Sequence, residues 1–271
     1  MMTDLKDTLK VGRPSESQHW YTKEGQPVYT VKVKNGNGRA TTLRDARKLG
    51  LVPSVTTIIK AAAKPALENW KQNQVLLAAL TLPKEDGETD DQWCKRIMED
   101  SRQHAIQAAA KGIEIHAAIQ GACEGFADPE YSAYIAGVES ALHEWHPGIP
   151  GNEWVSEMAF AHPLGFGGKA DLSAGVINIG RFVADYKTKG FGPDDDLKVF
   201  DEQAMQLAAY REGLGLKGAR CAIVYISITN PGVTQLVEFE EWELQRGWDM
   251  FRHLLAYWKY QKKYESGWEA K

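Results

Sequence analysis

Hydrophobic and polar positions change period along this chain, dividing it into a helical first half and a strand-rich second half. Pro27 to Lys34 alternates as a strand does, Asn35-Gly36-Asn37-Gly38 tolerates positive φ, and Arg39 to Leu43 supplies a returning strand, so a hairpin is expected. Thr41 or Thr42 then caps a short helix running through Lys48 and ended by Gly50, and Pro53-Ser54 leads into a second helical stretch from about Val55. Lys64 through Leu80 is helical again. Pro83 to Asp91 is polar and acidic with Gly87 inside it, which marks a mobile loop or a subdomain boundary, and Asp90 is the expected cap of the next helix. Gln92 to Cys123 reads as mostly helical, with Gly112 either an interruption or a point of close packing, and Pro129 to Trp145 as a further helix.

After Pro147-Gly148 the period becomes two. Glu153 to Phe160 alternates, Gly168 to Ile177 and Arg181 to Thr188 read as paired strands, and Lys198 to Gly213 returns to a helical pattern. Cys221 to Thr229 and Val233 to Phe239 are strands around the turn Asn230-Pro231-Gly232, and a last helix runs through about Tyr264. The plan is α/β: helix, three strands, helix, strand, with additions. It divides into residues 1–100, a hairpin and helical elaboration packed on the core, and 101–271, the core with its C-terminal helix.

Composition narrows this only a little. A chain of 271 residues, 43% hydrophobic and 25% charged, is long enough for one elaborated domain. Its longest apolar stretches, such as Cys221 to Ile228, are too short to cross a bilayer and no signal-like segment opens the chain, so a cytoplasmic protein with no membrane partner is expected. Cys94, Cys123 and Cys221 are too few and too widely spaced for a disulfide framework or a Cys-x-x-Cys metal site. A net charge of -4 does not suit a passive duplex binder, but an enzyme with carboxylates at its centre can confine positive charge to a groove.

The chemistry concentrates in Gly168-Lys169-Ala170-Asp171 and Asp185-Tyr186-Lys187-Thr188-Lys189. Two apart on a strand, Asp185 and Lys187 leave the same face while Tyr186 faces away. Asp171 and Asp185 are symmetric about Asn178, so a hairpin turning there sets the two carboxylates opposite each other. At about 5 Å and an effective dielectric near 20 they repel by roughly 3 kcal/mol, and a divalent cation, magnesium or manganese for such hard oxygen ligands, is the natural compensation. Taken alone, Asp185 and Lys187 read as a solvated strand face; the wider set reverses that. Glu157 lies on the preceding strand, and Gly165, Gly167 and Gly168 permit unusual backbone near Asp171. Gln203, Gln206 and Tyr210 form one helical stripe, either lining a groove or amphipathic surface, and His116 sits on a helix, where a lone histidine is usually just packed or exposed.

In order, Gly112-x-x-x-His116, Glu157, Gly168-x-x-Asp171, Asp185-Tyr186-Lys187-Thr188 and Gln206-x-x-x-Tyr210 resemble the RecB-like branch of the PD-(D/E)XK nucleases over residues 105–240. Pro53-Ser54-Val55-Thr56-Thr57-Ile58 and Lys64-Pro65-Ala66-Leu67-Glu68-Asn69-Trp70-Lys71 are similar to the leading segment of phage-type and mitochondrial genome maintenance exonucleases. The resemblance implies a restriction-endonuclease-like αβββαβ core, with a mixed sheet between helices and a mostly helical N-terminal elaboration. It further implies Asp171, Asp185, the Tyr186 backbone carbonyl and His116 as metal ligands, Lys187 as the catalytic lysine, and Gln206 and Tyr210 as supporting or nucleic-acid-binding groups; Glu157 is a supporting candidate. Some relatives carry an iron-sulfur cluster on four cysteines, which three cannot supply, so none is expected.

The implied activity is metal-dependent hydrolysis of DNA, from single-stranded or frayed ends, in phage-type recombination, replication or repair, with a recombination or replication protein as a partner. Trp20, Tyr21, Trp70 and Trp93 are candidate base-stacking groups in a channel bordered by Arg44, Arg47, Lys48, Lys60, Lys64 and Lys71, though each also reads as core or solvated surface. Residues 189–197 form a loop that gates the channel or is disordered. Two other classes stand beside this reading. A non-catalytic DNA-binding or assembly module has no need of an intact Asp171, Asp185 and Lys187, and a glycoside hydrolase using the two acids has no need of Lys187 or His116.

Overall fold

A computed structural model describes residues 19–32, 36, 38–176 and 179–267 of the chain. Its first elements are small and are fastened to the rest by aromatic packing. Strand β1 (Trp20–Tyr21) pairs antiparallel with β4 (Val52–Pro53), and between them lie the hairpin β2 (Thr30–Lys32) and β3 (Gly38–Ala40) and helix α1 (Leu43–Leu49). Thr42 and Asp45 form the capping box of α1, and Gly50 ends it in the left-handed conformation. Trp20, fully buried, lies between Trp258 and Tyr264 near the C-terminus, and the Tyr264 hydroxyl donates to the Leu51 carbonyl. Asn35, Asn37 and Asn178, expected at hairpin turns, lie outside the described residues.

Ser54 caps helix α2 (Val55–Ile59), and α3 (Pro65–Thr81) is followed by the long α4 (Asp90–Cys123). The cap of α4 is Thr89, whose hydroxyl and Gln92 side chain form a capping box, rather than Asp90, which is the first helical residue. The polar turn before it is fastened: Arg96 donates to Glu88 and to the Pro83 carbonyl, and the Trp93 indole to the Leu82 carbonyl at 2.8 Å. Helix α4 runs unbroken through residues 100 and 101, where the sequence pattern places a division. Gly112 does not interrupt α4 either; a Cβ there would lie 2.5 Å from the Thr188 hydroxyl, so its bare backbone is what lets the helix press on the sheet.

Helix α5 (Ser132–Trp145) leads into five strands: β5 (Val155–His162), β6 (Phe166–Val176), β7 (Gly180–Lys189), β8 (Arg220–Ser227) and β9 (Thr234–Phe239). They lie side by side in chain order, and only β7 and β8 run parallel, joined through α6 (Asp201–Gly213), which makes the sheet mixed. Helices cover both faces: α2, α6 and α7 (Glu241–Lys262) pack on one through Leu207, Val183, Ile223 and Phe251, and α4 and α5 on the other through Ile115, Val138, Ala184 and Val224. The architecture is α/β with a mixed five-stranded sheet between helices. The segment expected to gate or be disordered is tied down, since the Phe191 carbonyl accepts from Ser227 and Asn230 and the Asp195 carbonyl from Gln235. Among the described residues no helix is long and apolar enough to cross a membrane.

One irregularity of the sheet positions everything that follows. Strands β6 and β7 pair from Val176↔Gly180 to Leu172↔Ala184, and there the ladder stops. Ala170 and Leu172 should share a face, yet they pack into different core clusters, so the pleat is broken at Asp171. On the other neighbour, Ser156↔Leu172 and Met158↔Ala170 pair while the intervening Glu157 takes φ 57, a left-handed conformation rare for a residue with a side chain. Beyond this row β6 and β7 are no longer paired, and Gly168, Lys169 and Asp171 of β6 and residues 185–188 of β7 line a cavity.

Candidate active site

The next pair in the β6/β7 register would be Asp171 and Asp185, as the symmetry about Asn178 predicts. Instead of a backbone pair, the Asp171 carboxylate spans the gap and accepts the Tyr186 N–H at 2.9 Å. Asp185, 2% exposed, accepts from Gln206 Nε2 at 2.7 Å on one oxygen and from the Lys187 ammonium on the other. Gln206 Nε2 also reaches the Tyr210 hydroxyl, at 3.0 Å. His116, one turn of α4 beyond Gly112, brings Nδ1 to 3.8 Å from Asp171, and its ring stands edge-on to Tyr186. Asp171, Asp185, Lys187, His116, Gln206, Tyr210 and Tyr186 therefore line one cavity of about 680 Å³.

Electrostatics set the protonation states. Burial pushes the Asp171 carboxyl up to about 8, with the neighbouring Asp185 charge adding to it and Lys187 and the Tyr186 N–H opposing it. Burial works against the charge of Lys187, but Asp185 and Asp171 outweigh it and hold the ammonium above its ordinary value. His116 is lowered, by burial first and by Lys187, against the pull of Asp185, which keeps the imidazole neutral at neutral pH. Tyr210 is raised by burial and both aspartates and stays a phenol. Among the described residues no three His, Cys, Asp or Glu side chains are grouped to hold a metal.

Several expected residues stand elsewhere. Glu157 is not on the cavity wall; it is paired with Lys169, two residues before Asp171 and itself on the wall. Gln203 does not share the groove of Gln206, because its amide caps α6 at Phe200 and donates to Tyr225 at 2.7 Å. Trp20 belongs to the core, Trp93 fastens a turn, and Arg47, Lys64 and Lys71 meet the Lys262 carbonyl, Glu202 and Glu68, so of that proposed channel only Tyr21 lines the cavity. The walls come instead from His19, Tyr29, Ser54, Thr56 and Lys169, and from Ala109, Gly112, Ile113 and Ala117 of α4. The two-residue spacing from Asp171 was a signal for Lys169; no sequence period links His19 or Tyr29 to the site.

No family model and no curated protein matches this chain. Eighteen chains of solved structures do. One, described as the crystal structure of SSO0001, is 17% identical, and the match covers 70% of this chain and 87% of that one. Its TM-score of 0.31 is too low for the likeness to bear on fold or function.

Proposed function

We propose that the protein is a divalent-metal-dependent DNA nuclease with a PD-(D/E)XK core of the RecB-like kind. The observation that carries the reading is the meeting of Asp171, Asp185 and Lys187 where two strands part, with Gln206 clamped to Asp185 and His116 beside Asp171. The order α5, β5, β6, β7, α6, β8 is the αβββαβ order of that core. The donor set fits a hard cation: two carboxylates crowd one largely buried place, where burial first and the Asp185 charge second raise Asp171. Asp171 and Asp185 would hold magnesium or manganese, with the Tyr186 carbonyl, His116 and water to complete the shell. When bound, such a cation neutralises the aspartates, polarises the phosphodiester and acidifies water.

The protein's own groups act around that place. Lys187 remains an ammonium and stabilises negative charge gathering on the phosphoryl oxygens. Gln206 fixes the direction of the Asp185 carboxylate, and Tyr210, as an uncharged acceptor, fixes the amide of Gln206. The Tyr186 N–H does the same for Asp171. Neutral His116 offers a lone pair next to Asp171, and Glu157, through Lys169, steadies a cationic wall rather than the reacting centre. The substrate class is DNA with single-stranded or frayed ends.

The test is cleavage of end-labelled single-stranded and duplex DNA, linear and circular, by the protein and its Lys187→Ala variant, with magnesium, manganese or EDTA. Metal-dependent degradation lost in the variant is the expected result. Binding without cleavage in every metal would overturn the assignment and leave a non-catalytic module.

A further inference from the structure

The wall of the cavity furthest along the chain from the aspartates is aromatic, and nothing in the reaction accounts for it. His19 and Tyr29 are exposed, with ring centroids 4.7 Å apart and planes tilted by 38°. Beneath them Tyr21, 2% exposed, stands edge-on to Tyr29 and shares a hydroxyl contact of 3.2 Å with it. This shelf is fixed to the catalytic strand itself: a Cβ on Gly167 of β6 would lie 2.9 Å from Tyr21 Cβ, so the ring sits on bare backbone four residues before Asp171. Backbone bonds hold the segment on both sides, Val28 N–H to the Trp20 carbonyl and Thr41 N–H to the Tyr29 carbonyl.

The chemistry of the shelf selects its ligand. Burial and the nearby Lys60 and Lys169 lower His19, so the ring is uncharged at neutral pH, while those two lysines set positive charge beside it, Lys169 on the cavity wall even though it is paired with Glu157. Flat neutral rings flanked by cations suit an unpaired base followed by its backbone, not the phosphate edge of a duplex, whose bases are already stacked. We infer that His19 and Tyr29 form a stacking platform for an unpaired nucleobase of a DNA strand whose phosphodiester lies over Asp171 and Asp185. The inference rests on the nuclease reading and deepens it: the platform makes the site select single-stranded ends. Tyr21 is a positioning residue, holding Tyr29 without touching the base.

The experiment measures binding of a fluorescein-labelled single-stranded DNA oligonucleotide in EDTA, where no cleavage occurs, with normal or abasic terminal nucleotides. Stacking on one ring is worth about tenfold in affinity, so Tyr29→Ala should weaken binding about tenfold and Tyr29→Phe less than about twofold. Abasic ends should cost the wild type the same factor and cost Tyr29→Ala little more, because both changes remove one contact. An equal loss for normal and abasic strands in Tyr29→Ala, or none, overturns the platform. Terminal 2-aminopurine gives a second readout on the unmutated protein: its fluorescence should fall on binding, and unchanged fluorescence counts against stacking whether or not the variant folds. Cleavage with magnesium is read separately. Absent cleavage with intact stacking removes the nuclease and keeps the platform; cleavage indifferent to terminal bases does the reverse.

Discussion

A carboxyl group that prefers its proton makes the metal-free protein weaker as pH rises, and Asp171 is such a group. Folded, burial and the Asp185 charge push it up to about 8; unfolded, it returns to the ordinary range near 3.8. Between those values the folded state binds the extra proton, so stability is fully present at acid pH and is lost as pH climbs towards 8. The slope is about 1.4 kcal/mol per pH unit, which between pH 5 and pH 7.5 comes to about 3 kcal/mol. For a chain of this length that is a fall in Tm on the order of 6–10 °C. Asp171→Asn removes the titration while keeping an oxygen for the Tyr186 N–H, and its amide can donate to Asp185. Thermal unfolding in EDTA at the two pH values, wild type minus variant, isolates this group from all others. The variant should match the wild type near pH 5, exceed it at pH 7.5, and have no cleavage activity. Millimolar magnesium at pH 7.5 should recover the wild-type deficit and leave the variant unmoved. A pH-independent difference between the two proteins would refute the reasoning, because it would mean that Asp171 is ionised throughout and its charge already compensated.

Two further substitutions probe how the site is held. Gln206→Ala leaves an oxygen of the buried Asp185 and the Tyr210 hydroxyl without their donor, which should cost about 1–3 kcal/mol in urea unfolding and lower kcat more than it raises KM. Gly112→Ala drives a methyl group to 2.5 Å from the Thr188 hydroxyl and should destabilise by about 1–3 kcal/mol. Thr188→Ala combined with Gly112→Ala should recover most of that loss; an additive double variant would show that helix α4 presses on something else.

The parts of the fold visible in the sequence are those where one element carries its own signal. Period-two alternation locates the strands of the sheet to within a few residues, and the same period brings Asp185 and Lys187 to one face. The symmetry about Asn178 yields the register, because a hairpin is a local object. Caps are less secure: Thr89 displaces Asp90 because a hydroxyl answered by Gln92 satisfies two backbone donors where a carboxylate one position later satisfies neither. What alternation cannot announce is a place where the pleat fails. Nothing local says that Glu157 takes φ 57, or that Ala170 and Leu172 part company across Asp171.

That failure is also what turns two acidic residues in a sheet into a site. Had the β6/β7 ladder continued, Asp171 and Asp185 would face each other across a closed pair of strands, with their backbone groups spent on each other. Because it stops one pair early, the Tyr186 N–H is left for the Asp171 carboxylate, and residues of both strands line a cavity there. The walls are then closed by segments with no periodic tie to the strands: α4, admitted by Gly112, and the aromatic shelf, seated on Gly167. In the sequence Trp20 and Trp93 are candidates for such a wall and equally read as core or surface, because stacking aromatics look alike in one dimension. Depth separates them, for Trp20 has no exposed surface while Tyr29 is 37% exposed, and depth is decided by the C-terminal Trp258 and Tyr264, more than two hundred residues away. The two aspartates and Lys187 are therefore placed by two neighbouring strands, whereas the depth of Trp20, and with it which aromatics reach the cavity wall, depends on contacts between distant parts of the chain.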